Sequence, residues 1–85
     1  MTTEVVVYGR ENCHYCKEAK KLNEINAIQY VWKDVNDFDT KEELLDKVPN
    51  AKSIPQIFVN GKHIGGYDEY KVYVTENMVG LGKLK

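Results

Sequence analysis

What this sequence has little of bounds it first. Cysteine occurs only twice in 85 residues, at Cys13 and Cys16. That excludes a secreted scaffold stapled by several bridges. A bridge between these two would close a loop of about four residues and contribute only roughly 2 kcal/mol in the chain-entropy model, before any strain. The pair therefore reads as catalytic or metal-binding. Neither sign of charge is in excess: 12 Lys and Arg face 13 Asp and Glu, a formal net charge of -1, so no global field draws nucleic acid or an anionic membrane. No apolar run approaches the roughly 20 residues of a membrane span. The opening Met1-Thr2-Thr3-Glu4 has neither the basic nor the apolar region of a secretory signal, and a reducing, cytoplasmic setting is the expectation. With 42% hydrophobic and 29% charged residues the chain has the composition of a folded globular protein. Its length suits one small domain, 1–85.

What is present is organised around Val5 to Cys16. Val5-Val6-Val7-Tyr8 reads as a buried central strand, punctuated by Gly9. A loop follows, and from Cys13 to about Asn26 the apolar residues Cys16, Ala19, Leu22 and Ile25 recur every three, one face of an amphipathic helix. The two cysteines thus sit at a strand-to-helix turn, and Cys-x-x-Cys in a βα context is the mark of a thiol–disulfide site. Ile28 to Val35, rich in Val, Ile, Tyr and Trp, reads as a second strand. Thr40 with Glu43 fits a capping box for a second helix, whose buried stripe is Leu44, Leu45 and Val48 and which Pro49-Asn50 ends.

Gln56 to Val59 and Lys62 to Ile64 flank Asn60-Gly61, the pattern of a tight hairpin. Gly65-Gly66 breaks the second of these strands. Residues 71 to 77 read two ways: Val72, Tyr73, Val74 and Thr75 favour strand by propensity, whereas a helix from about Asp68 buries Val72 with Tyr73 nearby. The tail with Gly80 and Gly82 reads as irregular. The order is β-α-β-α-β-β-α. A right-handed crossover makes the first two strands parallel and the hairpin adds two antiparallel ones. The expected fold is an α/β four-stranded mixed sheet flanked by three helices.

Three separated motifs then carry a resemblance. Cys13-His14-Tyr15-Cys16 resembles the Cys-Pro-Tyr-Cys of the dithiol glutaredoxins, Ser53-Ile54-Pro55 their Thr-Val-Pro, and Gly65-Gly66-Tyr67-Asp68 their Gly-Gly-x-Asp. The resemblance runs from Val5 to about Asn77. It implies the thioredoxin fold and a glutathione-dependent thiol–disulfide oxidoreductase, active in cell redox homeostasis and electron transport. Glutathione is then the reducing co-substrate, and disulfide-containing proteins such as ribonucleotide reductase are the substrates. The implied protein is a monomer without metal, nucleic acid or membrane partners.

Within that resemblance Cys13 is the attacking residue, since unpaired N–H groups and the positive dipole end at a helix start favour a thiolate. The main gain is a good leaving group, because nucleophilicity falls as the thiolate is stabilised. Cys16, one turn on, is the resolving residue, more buried and less acidic. His14 stands where the family has proline. It restores an N–H that proline lacks and adds a titratable ring, and a modulating role and a solvated side chain are both open. Arg10 supports the thiolate and the glycine carboxylate of glutathione. Lys52 is a second carboxylate contact or a plain surface lysine. Tyr15 packs beside the thiol. The resemblance makes the Ile54–Pro55 bond cis, against a base rate of about one in twenty, with Ser53, Ile54 and Pro55 lining the site and the Ile54 backbone pairing with glutathione as a short antiparallel strand. Gly66 and Tyr67 bring helix-start N–H groups to the γ-glutamyl carboxylate, and Asp68 pairs with its ammonium. Tyr30, Trp32 and Phe58 read as packing.

Three other readings stand beside it. A carrier recharged by thioredoxin reductase usually lacks Tyr15 and the Gly-Gly-x-Asp pattern. A zinc module needs four ligands where only Cys13, Cys16, His14 and His63 are at hand. An iron–sulfur cluster bridged by a dimer belongs mostly to monothiol or altered motifs.

Overall fold

The computed structural model describes residues 3–79, with side chains to Asn77, so the expectation for Gly80 and Gly82 lies outside the described residues. The elements are β1 (Val5–Gly9), α1 (His14–Ile25), β2 (Val31–Asp34), α2 (Phe38–Lys47), β3 (Gln56–Val59), β4 (Lys62–Gly65) and α3 (Tyr67–Val74), followed by a π-helical stretch, Thr75–Val79. The sheet order is β2-β1-β3-β4. β1 runs parallel to β2 with Val7 opposite Trp32, and antiparallel to β3 with Val7 opposite Ile57. β3 and β4 form the expected hairpin. The four-stranded mixed sheet with three helices is as expected.

The β-branched run of β1 is central because both its faces are covered. Alternation sends Val5 and Val7 to one side, where they join Ile57, Val59 and Ala19 of α1 with Tyr70 and Val74 of α3. Tyr8 goes to the other side, with Phe58, Val35 and Leu44 of α2. Period 2 in the strands thus divides the core into two layers. The hairpin turn places Asn60 at φ 53° and Gly61 at φ 84°, the paired positive values that a two-residue turn requires and that glycine adopts without strain.

Four local expectations are corrected. α1 buries Cys16, Ala19 and Asn23, while Leu22 is half-buried and Ile25 is 70% exposed. The helix leans onto α3, where the Tyr70 hydroxyl donates to Asn23 Oδ1, so a polar residue takes the buried place. β2 is shorter than Ile28–Val35, since Ala27 turns through φ 57° and pairing starts at Val31. The second helix starts at Phe38, because Asp37 is its cap: the carboxylate accepts from the Thr40 N–H at 3.0 Å and from the Thr40 hydroxyl at 3.1 Å. Glu43 makes no capping box; it accepts from the Tyr8 hydroxyl and pairs with Lys33 Nζ at 3.1 Å. Residues 71–74 are helical, yet Tyr70 and Val74 face the core and Val72 is 54% exposed. Helix wins over strand propensity here because its start is well capped. Glu69 Oε1 accepts from the Gly66 N–H at 3.0 Å, and Asp68 and Glu69 lie at the positive dipole end.

Candidate active site

β1 delivers the chain to the site at Gly9, and residues 10–13 loop from it into α1. Cys13 is the cap of that helix, in extended backbone, with its Sγ accepting from the Cys16 N–H at 3.3 Å. The Cys13 N–H donates to the Arg10 carbonyl at 3.4 Å, and the Cys13 carbonyl accepts from the Lys17 N–H at 3.1 Å. The first turn of α1 carries no acidic residue. Its orphan N–H groups and positive dipole end are therefore left to the sulfur. Cys13 is half-buried, and its Sγ lies 3.9 Å from the Ile54 carbonyl oxygen. The Ile54–Pro55 peptide bond is cis.

Cys16 has no exposed surface. Burial pushes its thiol up to about 12, reinforced by the hydrogen bond and charge of Cys13 and opposed by Arg10. The room for Cys16 comes from Gly9, which has no side chain. A Cβ at Gly9 would stand 2.6 Å from Cys16 Sγ and 2.9 Å from Trp32. Both thiols are free. The turn thus holds two chemically unlike sulfurs, one at the rim and one in the interior. Among the described residues no three His, Cys, Asp or Glu side chains are grouped to hold a metal ion.

Two grooves share Ser53 and Ile54; Cys13 lines neither, and the Ile54 carbonyl links them to its Sγ at 3.9 Å. The smaller, of about 260 Å³, is bounded by Tyr15, Pro55, Gly66, Tyr67 and Asp68, with Ser53 and Ile54 at its edge. Tyr15 stacks on Tyr67 with ring centroids 5.9 Å apart, and the His14 ring meets Tyr15 edge-on at 5.0 Å. His14 is exposed and lines neither groove. Glu69 also lines the smaller groove. It went unnoticed in the sequence, although its place three residues after Gly66 at a helix start was a usable sign. Its Oε1 accepts from the Gly66 N–H at 3.0 Å. The larger groove, of about 570 Å³, holds Arg10 and Lys52, and shares Ser53 and Ile54 with the smaller one. The candidate residues therefore gather in two sets that join at Ile54, next to the rim sulfur.

A glutaredoxin family model matches residues 5–64. Glutaredoxin 1 of Escherichia coli is 39% identical over 82 residues, covering 88% of this chain and 96% of that protein. The crystal structure of glutaredoxin 1 from Francisella tularensis, complexed with cacodylate, superimposes with a TM-score of 0.75 at 28% identity, over 96% of this chain and 100% of that one. A buckwheat glutaredoxin–glutathione complex superimposes with a TM-score of 0.76 at 25% identity, over 93% of this chain and 74% of that one.

Proposed function

The chain belongs to the glutaredoxin family, a family of thiol–disulfide oxidoreductases on the thioredoxin fold, and from that premise we propose that it reduces protein disulfides and glutathione mixed disulfides at the expense of glutathione. The observation that carries the reading is the placement of Cys13 Sγ as the cap of a helix start, 3.3 Å from the Cys16 N–H and 3.9 Å from the Ile54 carbonyl, with a fully buried Cys16 behind it.

The chemistry follows from the contrast between the sulfurs. The Cys13 thiolate attacks one sulfur of a substrate disulfide, forms the mixed disulfide and expels the other sulfur as a thiolate. Cys16, held as a thiol by its burial, does not compete for this step. It then gives up its proton and attacks Cys13 Sγ, so the Cys13–Cys16 disulfide forms and the second substrate sulfur leaves, taking up a proton. Two glutathiones restore the dithiol, the first attacking Cys13 and releasing Cys16, the second releasing Cys13 and leaving as glutathione disulfide. Two electrons pass from glutathione to the substrate. With a glutathionylated substrate Cys13 is enough, since the glutathione held on it is released by a second glutathione.

The bound tripeptide lies along Ile54 with its ends in the two grooves. Asp68 meets the γ-glutamyl ammonium, with Tyr15, Tyr67 and Pro55 packing around it. Arg10 and Lys52 meet the glycine carboxylate, at charge-assisted strength. The protein acts as a monomer and a single domain, in a reducing cytoplasm, on partners of the ribonucleotide reductase kind. The test is glutathione-coupled reduction of a glutathionylated substrate and of a protein disulfide. Cys13→Ser loses both activities, and Cys16→Ser keeps the first and loses the second. Wild type that is silent with glutathione but turns over with thioredoxin reductase overturns the glutathione assignment at Arg10, Ile54 and Asp68.

A further inference from the structure

Resting on the reading of Ile54 as the backbone along which a disulfide partner lies, we infer that His63 is a positioning residue for the exchange at Cys13, acting through Gln56 on the Ser53 carbonyl. His63 itself stands on β4 and lines neither groove.

The contacts start from a buried side chain. Gln56, the first residue of β3, is 7% exposed, and an amide so placed needs partners for both its ends. Its Nε2 donates to the Ser53 carbonyl at 2.8 Å, and its Oε1 lies 2.7 Å from His63 Nε2. The direction of the second bond follows from the first. A carbonyl only accepts, so the amide nitrogen faces Ser53 and the amide oxygen faces the imidazole. His63 Nε2 therefore carries a hydrogen and donates it.

A shift of register brings the ring there. His63 lies opposite Phe58, but Gly65, and not Ile64, lies opposite Ile57. Such irregularities re-aim side chains at the edge of a sheet. Gln56, two residues before Phe58, shares its face of the strand and lies within diagonal reach of a long side chain. The imidazole rests against the Phe58 ring, with centroids 5.0 Å apart.

What this arrangement holds is the segment beside the reacting sulfur. Among the described residues, the backbone of residues 52–54 makes no hydrogen bond to other backbone groups. Its contacts are Gln56 at the Ser53 carbonyl and Cys13 Sγ at the Ile54 carbonyl, and Ser53 and Ile54 line both grooves. One buried amide thus ties the segment to the sheet, and His63 keeps that amide turned toward it. Without a donor at position 63 the amide oxygen is left unpaired, and turning it out to water takes its nitrogen off Ser53.

The test uses the full chain with substitutions at both positions. His63→Phe keeps a ring against Phe58 and removes the donor, whereas in His63→Gln an amide nitrogen takes the place of Nε2. The first assay is glutathione-coupled reduction of a small glutathionylated substrate. The second is single-turnover reduction of a cystine-linked peptide by the reduced protein without glutathione. There the peptide disulfide becomes two thiols and the Cys13–Cys16 dithiol becomes a disulfide. His63→Phe is expected to raise KM in the first assay about fivefold with kcat unchanged, and to slow the second about as much at subsaturating peptide, the effect of one lost hydrogen bond. Iodoacetamide labels Cys13 in this variant at the wild-type rate, because the start of α1 is untouched. His63→Gln restores both assays. Gln56→Met matches His63→Phe, and the double variant is no slower than either single one. A wild-type KM in His63→Phe, slowed labelling of Cys13, equal losses in His63→Phe and His63→Gln, or additive losses in the double variant would overturn the positioning role. A wild type silent with glutathione overturns the co-substrate instead, and the peptide assay then decides the role of His63 by itself.

Discussion

The starts of α1 and α2 face the same physical problem and meet it in opposite ways. Each exposes orphan N–H groups and a positive dipole end. At α2 these are met by carboxylates, with Asp37 as cap at 3.0 Å and Asp39 in the first turn. At α1 the cap is the Cys13 sulfur at 3.3 Å, and no acidic residue follows. Sulfur is a weak acceptor beside a carboxylate, so α1 gives up helix-start stability where α2 keeps it. The start of α2 is settled structurally, whereas that of α1 is left for chemistry. One turn into α1 the field no longer governs, and burial holds Cys16 as a thiol.

The largest way to break this contrast is alkylation of the reduced protein. With its thiol near 12, Cys16 is thiolate to a fraction of about 10⁻⁵ at pH 7. Iodoacetamide at pH 7 is expected to add one group, at Cys13, with Cys16 labelled only after unfolding; double labelling of the native protein at similar rates removes the distinction. A second test uses linkage. Raising the Cys16 value from 9.0 to about 12 on folding means that its contribution is whole below about pH 9. It is lost as pH rises through about 12, to a total of the order of 4 kcal/mol. Tyr70, pushed up to about 12 by burial, is lost in the same direction. Urea unfolding with reductant at pH 8 and pH 11 is expected to show a larger loss in wild type than in Cys16→Ser, and equal losses break the assignment to Cys16.

Gly9→Ala sharpens the contrast by disturbing one sulfur and not the other. The added carbon, 2.6 Å from Cys16 Sγ, is expected to cost about 1–3 kcal/mol as overpacking. It slows the protein-disulfide step that needs Cys16 more than deglutathionylation, as the two assays run side by side would show. The smallest effect compares the caps themselves. Asp37→Ala costs about 1 kcal/mol by thermal or urea unfolding, whereas Cys13→Ser, which installs a better cap, leaves stability unchanged or raised while abolishing activity. A stability loss in Cys13→Ser equal to that of Asp37→Ala shows that the sulfur was an ordinary structural cap.

Much of the fold was legible because its signals are local. The β1 run, the Asn60-Gly61 turn and the Cys13–Cys16 spacing each depend on residues a few positions apart. The site was legible in part: the motifs named both cysteines and most residues of the smaller groove, but not Glu69. What was misread depended on partners far along the chain. Thr40 and Glu43 satisfied the capping-box rule, but Glu43 is claimed by Tyr8, 35 residues away, and Asp37 takes the cap. Ile25 had the right helical spacing, yet Asn23 is buried through Tyr70, 47 residues away. Gly9 could not be read as functional, since its role is defined by Cys16 and by Trp32 on another strand.

The sequence by itself determined the element order, the hairpin and the position of two thiols at a helix start, because backbone propensity, periodicity and capping act within a turn or two of the chain. Only the tertiary structure decided how deeply Cys16 is buried, which cap holds α2, and that the Arg10–Lys52 set and the Tyr67–Asp68 set meet at Ile54. Burial and electrostatics depend on what packs against a group through space, and those neighbours come together only when the sheet and its helices have closed around them.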